Sequence, residues 1–289
     1  MKKNKKKIPR VLVITAWLFP KVERLAPWLA KRWFVNIFFS TARYPLPLPE
    51  RELISTAKKS NVWFEGKKVQ LYEWGEGKPV LLVHGWMGRA AQFRKFIPVF
   101  NEAGYKVVAF DATGHGLSQG KQSHLMEFAA IVQLVKEKYG PFEMVIGHSL
   151  GGVASLHSVK DHAVSSKLVM LASPAIANEI VSEFEKKIGA SKKCEPHFHE
   201  YVLKKYGKPF EEYSASFIIS QVTGVDLMLI YDENDKEVSM KNPMALKEKY
   251  PAAKLIITQG LGHTRILKDS EVIQNTLDFL QSETSKVSA

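Results

Sequence analysis

A chain of 289 residues, 45% of them hydrophobic, is long enough to bury one large core, and it shows no internal repeat or low-complexity stretch. Its single cysteine, Cys194, excludes an intramolecular disulfide. The formal net charge of +12 invites a nucleic-acid reading, but residues 1–60 hold 9 Lys and 5 Arg against 3 Glu, a net +11. The remainder is near neutral and has no helix-turn-helix, zinc or base-stacking module, which argues against nucleic acid as a partner.

Residues 1–60 read as a basic, apolar arm and linker, and residues 61–289 as the body. A membrane span needs about 20 uninterrupted apolar residues. Val11 to Pro20 stops at Lys21, and Glu23, Arg24, Lys31 and Arg32 interrupt the rest of the arm. No small-x-small cleavage site comes after Val11 to Phe19, so the expected location is cytoplasmic. Residues 8–42 admit two readings. In one, short amphipathic helices pack on the body. In the other, the arm makes peripheral contact with the inner face of a membrane, Trp28, Trp33, Phe38 and Phe39 entering the headgroup region while Lys and Arg meet anionic lipid. The Pro-rich Tyr44 to Pro49 reads as an extended linker.

Asn61 to Gly66 and Val69 to Trp74 have the pattern of opening antiparallel strands. Pro79 to Val83 reads as a buried parallel strand that ends in His84-Gly85-Trp86-Met87-Gly88-Arg89, before a helical pattern over Ala90 to Asn101. Gly85 lets such a loop fold close to a neighbouring strand end. The Trp86 N–H is a candidate oxyanion donor, and His84 a support that holds the loop by hydrogen bonds. Tyr105 to Phe110 is a further central strand, with a helical pattern over Ser123 to Tyr139 after it.

The most informative stretch is Gly147-His148-Ser149-Leu150-Gly151, which comes directly after the apolar run Phe142 to Ile146 and opens a helical pattern over Leu150 to Val159. A strand that turns sharply into a helix passes its Ser through strained backbone, and the crowded flanking positions tolerate only small residues such as Gly147 and Gly151. The turn exposes the Ser149 hydroxyl and aims the Leu150 N–H, at a helix N-terminus, toward the place where an oxyanion would form. His148 lies within the turn as a supporting residue.

Lys167 to Ala172 and Asp226 to Tyr231 are further strands. An acidic loop, Asp232-Glu233-Asn234-Asp235, comes after the second. An acid that orients an imidazole must lie just past the strand end, which favours Asp235 over Asp232. After a helical pattern over Pro243 to Lys249 and a strand over Lys254 to Thr258 comes His263, flanked by glycines that let its loop reach back over a sheet, and then a last helix over Ser270 to Gln281.

With Ser149, Asp235 and His263 in that order, the chain resembles the α/β-hydrolase superfamily over roughly residues 61–283, in the manner of its serine-nucleophile, esterase- or lipase-like members. Phe110-Asp111-Ala112-Thr113-Gly114-His115-Gly116-Leu117-Ser118 is similar to a D-x-x-G-H-G-x-S turn of that superfamily, which implies scaffold roles for Asp111 and His115. The acid loop departs from the usual pattern in placing Asp232 where a Gly is common. The resemblance implies an α/β fold, a mostly parallel twisted sheet with helices on both faces and its site at the carboxyl ends of the strands. Residues 176–224 break the alternation with charged helical patterns over Asn178 to Lys187, Pro196 to Tyr206 and Glu211 to Ser220, and stand where such proteins insert a small helical cap. Cys194, Glu195, His197, His199 and Glu200 suggest a metal site, but an amphipathic cap helix is the preferred reading. No metal or cofactor is expected. The implied chemistry is hydrolysis of a carboxylic ester through an acyl-enzyme, with a small-molecule substrate. Amide, thioester or carbon–carbon bond hydrolysis remains open, as does a non-catalytic protein that binds a small ligand.

Overall fold

A computed structural model describes residues 10–161 and 164–283. The chain starts with α1 (Arg10–Leu25) and α2 (Pro27–Phe39), then α3 (Leu48–Thr56). Next come β1 (Lys58–Phe64), β2 (Lys67–Trp74) and β3 (Lys78–Val83), then a short 3-10 turn at Ala90–Phe93, α4 (Phe96–Glu102), β4 (Tyr105–Asp111) and α5 (Leu125–Tyr139). β5 (Met144–His148), α6 (Leu150–Asp161) and β6 (Lys167–Leu171) complete the central part. After β6 come α7 (Ala177–Ile188), α8 (Glu195–Tyr206) and α9 (Ala215–Ile218), and then β7 (Asp226–Asp232), α10 (Lys241–Lys249), β8 (Lys254–Thr258), α11 (Gly262–Arg265) and α12 (Ser270–Gln281).

The eight strands form one sheet in the order β1-β2-β4-β3-β5-β6-β7-β8. β1, β2 and β4 pair antiparallel, and every pair from β4 through β3 to β8 is parallel. The central strands are buried on both faces, which is why Val80–Val83 and Met144–His148 read as unbroken buried runs. On one face Val80, Leu82, Met144 and Ile146 join Phe93, Phe96, Phe100, Ile266, Leu267, Val272 and Leu277 in a single apolar cluster. α5 and α6 pack together, and α6 lies on β3, β5 and β6. The chain runs outward from β3 in one direction and from β5 in the other, so the loops after these two strands diverge and leave the crevice where open sheets of this kind bind ligands.

Two helices expected as single segments are divided. A helix running from residue 90 would carry Pro98 in its interior, where the ring removes a hydrogen bond and clashes with the preceding turn. The chain instead restarts at Phe96, placing Pro98 in the first turn of α4. Glu211 to Ser220 is broken because the Ser214 side chain accepts the Phe217 N–H and caps a new short helix, α9. The expected extended linker also ends early: α3 begins at Leu48, with Pro49 in the first turn where its missing N–H costs nothing.

The contacts divide the chain into two compact units: residues 1–39 with 176–213, and residues 40–175 with 214–289. This departs from the sequence division at 60 and 176–224. Residues 40–60 and 214–224 belong to the sheet-bearing unit, and the N-terminal arm shares a core with the inserted helices. That core is aromatic. Phe34 packs edge-on against Phe184 and Phe198, Phe38 against Phe184 and Phe210, and Phe19 stacks on Trp33. Ala30, Val181, Ile188, Cys194 and Val202 fill the spaces between them. Glu23, the arm's one acid between residues 1 and 39, turns inward to accept the Ser191 N–H and hydroxyl and the Cys194 thiol. No described helix is long and apolar enough to cross a membrane.

Candidate active site

Ser149 joins β5 to α6 with φ at 54°, a left-handed conformation that a side chain adopts only under constraint. Its N–H is held by Leu171 O at 2.9 Å, which pins the turn to the next strand. The flanking glycines are required by close approach. A Cβ on Gly147 would lie 2.4 Å from the Gly152 Cα, and one on Gly151 would lie 2.2 Å from the Val83 carbonyl oxygen. Leu150 is the first residue of α6, so its N–H has no intrahelical acceptor.

The loop after β3 lies against this turn, since a Cβ on Gly85 would come within 2.8 Å of the Ser149 Cβ. His84 is fully buried. Its Nε2 accepts the Ala112 N–H at 3.0 Å, which leaves Nδ1 to carry the proton and donate to Gly85 O at 2.8 Å. Burial pushes its pKa down to about 4, so it stays neutral and holds the loop. His115 does the same for the next part of that loop: Nε2 accepts the Met87 N–H at 3.1 Å and Nδ1 donates to Thr113 O at 2.8 Å. Burial, with His84 close by, lowers its pKa to about 3. With Met87 at φ 53° and its N–H engaged, and the Gly88 N–H bonded to Gly85 O, the Trp86 N–H takes part in none of these bonds. Asp111 accepts the Ala90 and Leu117 amides and the Tyr72 hydroxyl, tying three segments to the end of β4. Asp111 and His115 are therefore scaffold residues, as the motif implied.

The acid and the histidine meet directly. His263 Nδ1 lies 2.8 Å from Asp235 Oδ2, and Asp235 Oδ1 accepts the Glu237 and Val238 amides at 2.7 and 3.1 Å. Burial acts to raise the Asp235 pKa, but the His263 hydrogen bond and those amides outweigh it and hold the carboxyl below its ordinary range. Asp232 does different work. Its two oxygens accept the Leu261 and Gly262 amides, the Thr258 hydroxyl and the Asn234 amide at 2.8 to 3.0 Å. It clamps the loop that presents His263. A Gly at that position could not make this clamp, so the departure from the usual pattern has a structural reason.

His148 has a role that its place inside the turn did not reveal. Its Nε2 lies 2.8 Å from the His263 carbonyl oxygen, and the two rings are 4.9 Å apart between centroids. Burial, with His263 beside it, lowers its pKa to about 3, so the neutral ring donates from Nε2 and ties the serine turn to the histidine loop. Its Nδ1 is buried without a hydrogen-bond partner. The structure thus brings Ser149, His148 and Gly85 together and joins His263 to Asp235, while the Ser149 hydroxyl makes no hydrogen bond to His263 in this conformation. Also unread in the sequence is Arg89, which donates to Glu50 at 2.6 Å and to the Tyr44 carbonyl at 2.7 Å, fastening residues 44–50 to the loop after β3.

The metal reading fails on geometry. Cys194 is buried in the aromatic core, and burial, reinforced by Glu23, pushes its thiol up to about 12, while His199 lies between Glu195 and Glu211. Among the described residues no group of three His, Cys, Asp or Glu side chains is placed to hold a metal ion.

Known proteins agree with this architecture. The family model for serine aminopeptidase, S33, matches residues 77–267, from the start of β3 past the His263 loop. A human serine hydrolase-like protein is 36% identical over 109 residues, 35% of this chain and 51% of that protein. A monoacylglycerol lipase of Mycolicibacterium smegmatis is 33% identical over 81 residues, 25% of this chain and 29% of the lipase. The matched stretch thus spans about half or less of these curated relatives. Among solved structures, an esterase of Pyrococcus furiosus superposes with a TM-score of 0.63 at 20% identity over 85% of this chain and 98% of the esterase. The thioesterase domain of the curacin biosynthetic pathway does so at 0.60 and 17% identity, over 78% of this chain and 99% of that domain. These two show the fold. With about two thirds of its residues inside the family model, the chain belongs to the S33 serine aminopeptidase family and has the α/β-hydrolase fold.

Proposed function

We propose that the chain is a serine hydrolase of carboxylic esters that works through an acyl-enzyme. The observation that carries this reading is the 2.8 Å Asp235–His263 pair, tied through His148 to a serine turn strained at φ 54°. Asp235 accepts a hydrogen bond from the His263 Nδ1–H, which keeps that proton on Nδ1 and leaves Nε2 unprotonated as the base. His263 takes the Ser149 proton as the serine oxygen attacks the ester carbonyl, and the Trp86 and Leu150 N–H groups stabilise the resulting oxyanion. Collapse breaks the bond to the alcohol, which leaves with the proton held by His263. A water activated by the same ring then attacks the acyl-enzyme and releases the acid, restoring Ser149. No step calls for a cofactor.

The test is hydrolysis of p-nitrophenyl esters from acetate to palmitate, with Ser149→Ala beside the native chain. Serine-dependent turnover supports the reading, and the preferred acyl length distinguishes an esterase from a lipase. Ser149→Ala is expected to lower kcat by about 10⁴-fold or more without a change in Tm. The name of the matched family favours an amide as the second reading. Aminoacyl p-nitroanilides run in parallel decide between the two, and tight ligand binding without turnover of either would leave a binding role.

A further inference from the structure

The arm that completes the aromatic core presents a second apolar face that no described residue covers. Residues 13, 14, 17, 18, 21, 24 and 25 of α1 are all exposed, and their spacing of three and four places them on one stripe. Phe19, Val22 and Glu23, on the other side of the helix, are the residues engaged with the core. Seven of the fourteen strongly exposed large apolar side chains among the described residues fall between 13 and 29. Ile14, Trp17, Leu25 and Trp28 are 59, 65, 83 and 66% exposed. This is not the ordinary scatter of single apolar side chains on a surface.

The charge carried by the arm itself is almost all of one sign. Residues 1–39 hold 7 Lys and 3 Arg against the single Glu23, which is occupied by Ser191 and Cys194. Lys21, Arg24 and Arg32 are exposed beside the apolar residues, and Lys21 places its ammonium over the Trp17 ring. Two tryptophans and aliphatic side chains rimmed by cations, with no outward-facing acid on α1 or α2, match the requirements of a lipid–water interface bearing negative headgroups. A second copy of the chain is disfavoured, because two such faces would bring like charges together.

We propose that the outward face of α1 and the first turn of α2 docks the protein on an anionic lipid bilayer, with Trp17 and Trp28 entering the headgroup region. The residues differ from those the sequence suggested: Trp33, Phe38 and Phe39 pack into the aromatic core and are not available. Deleting the arm would therefore remove half of that core, so the test must use substitutions on the exposed stripe. The inference stands apart from the proposed esterase activity.

The experiment is flotation of the full chain with phosphatidylcholine vesicles, with and without phosphatidylglycerol, across a salt series. Binding is expected only with phosphatidylglycerol and should weaken as salt rises. The double variant Trp17→Glu, Trp28→Glu should lose vesicle binding by more than about tenfold. Lys21→Gln with Arg24→Gln should weaken it about 25-fold, at about fivefold for each cation near the surface. Both variants should keep the native far-UV spectrum, Tm and rate on p-nitrophenyl acetate. Val13→Ser with Ile14→Ser, on the same stripe, gives an independent reading if a tryptophan variant fails to fold. Vesicle binding that the apolar variants leave unchanged would overturn the proposal. So would displacement by a single-stranded oligonucleotide with no dependence on Trp17 and Trp28, or a dimer that those variants dissolve in place of vesicle binding. Absence of esterase activity in a native chain that still floats would refute only the functional reading.

Discussion

Two carboxylates stand three residues apart, Asp232 as the last residue of β7 and Asp235 just past it, and exchanging each for its amide separates holding a loop from orienting a base. In Asp235→Asn, Oδ1 can still accept the Glu237 and Val238 amides, but the amide nitrogen replaces the oxygen that faced His263 Nδ1 at 2.8 Å. The imidazole must then accept at Nδ1 and carry its proton on Nε2, the wrong tautomer for a base. By the proposed mechanism kcat falls by about 10⁴-fold, while the loss of one charged hydrogen bond costs about 1 to 2 kcal/mol. In Asp232→Asn, the Thr258 hydroxyl can rotate to accept, but the Leu261 N–H, now facing an NH2 group, cannot. Asp232 is 1% exposed, so that stranded donor and the lost charge cost about 3 kcal/mol, or roughly 6 to 12 °C in Tm for a chain of this size. The assay is ester turnover beside thermal unfolding for both variants. If Asp235→Asn kept its turnover within about tenfold while Asp232→Asn lost activity at an unchanged Tm, the roles assigned to the two acids would be reversed and the argument would fail.

Three more outcomes are expected. His84, His115 and His148 are held neutral by burial, with pKa values near 4, 3 and 3 against about 6.5 in an unfolded chain. Below about pH 6.5 the unfolded state binds protons that the folded state refuses, so stability is fully present above that pH and is lost as pH falls toward 4. Each histidine contributes about 1.4 kcal/mol per pH unit in that window. The urea midpoint should fall steeply between about pH 6.5 and pH 5, and a flat midpoint would contradict the buried, neutral assignment. Arg89→Met leaves the Glu50 carboxylate, 13% exposed, without its partner and frees residues 44–50 from the loop after β3. A loss of about 2 to 3 kcal/mol is expected, with kcat reduced more than KM raised if that loop carries the oxyanion donor. Native kcat would detach Arg89 from the chemistry. Gly151→Ala forces a methyl to within 2.2 Å of a backbone oxygen that cannot yield. It should cost at least about 3 kcal/mol and abolish turnover, and a chain of native stability would show that the serine turn relaxes more readily than its packing implies.

The amino-acid sequence by itself determined what depends on neighbours along the chain. A buried apolar run that leads into Gly-x-Ser-x-Gly can fold in few ways, because only glycine fits where Gly147 meets Gly152 and Gly151 meets Val83. The strands, the serine turn and the loop carrying His263 were legible for that reason. Helix breaks at Pro98 and Ser214 were also written locally, although the apolar pattern ran through them. Tertiary structure decided everything that rests on distant partners. Asp232 and Asp235 share one acidic loop, and only the approach of residues 261–263 sends one to backbone amides and the other to an imidazole. His148 became a tie because the His263 carbonyl, 115 residues later, arrives beside it. The arm shows the limit most plainly. Its sequence suggests amphipathic helices that pack on the body or meet a membrane, but which side chains turn inward depends on Phe184, Phe198 and Ser191, far along the chain. Hydrophobic burial is non-directional, so a sequence states how much apolar surface must be covered, and only packing decides which surface is left facing out.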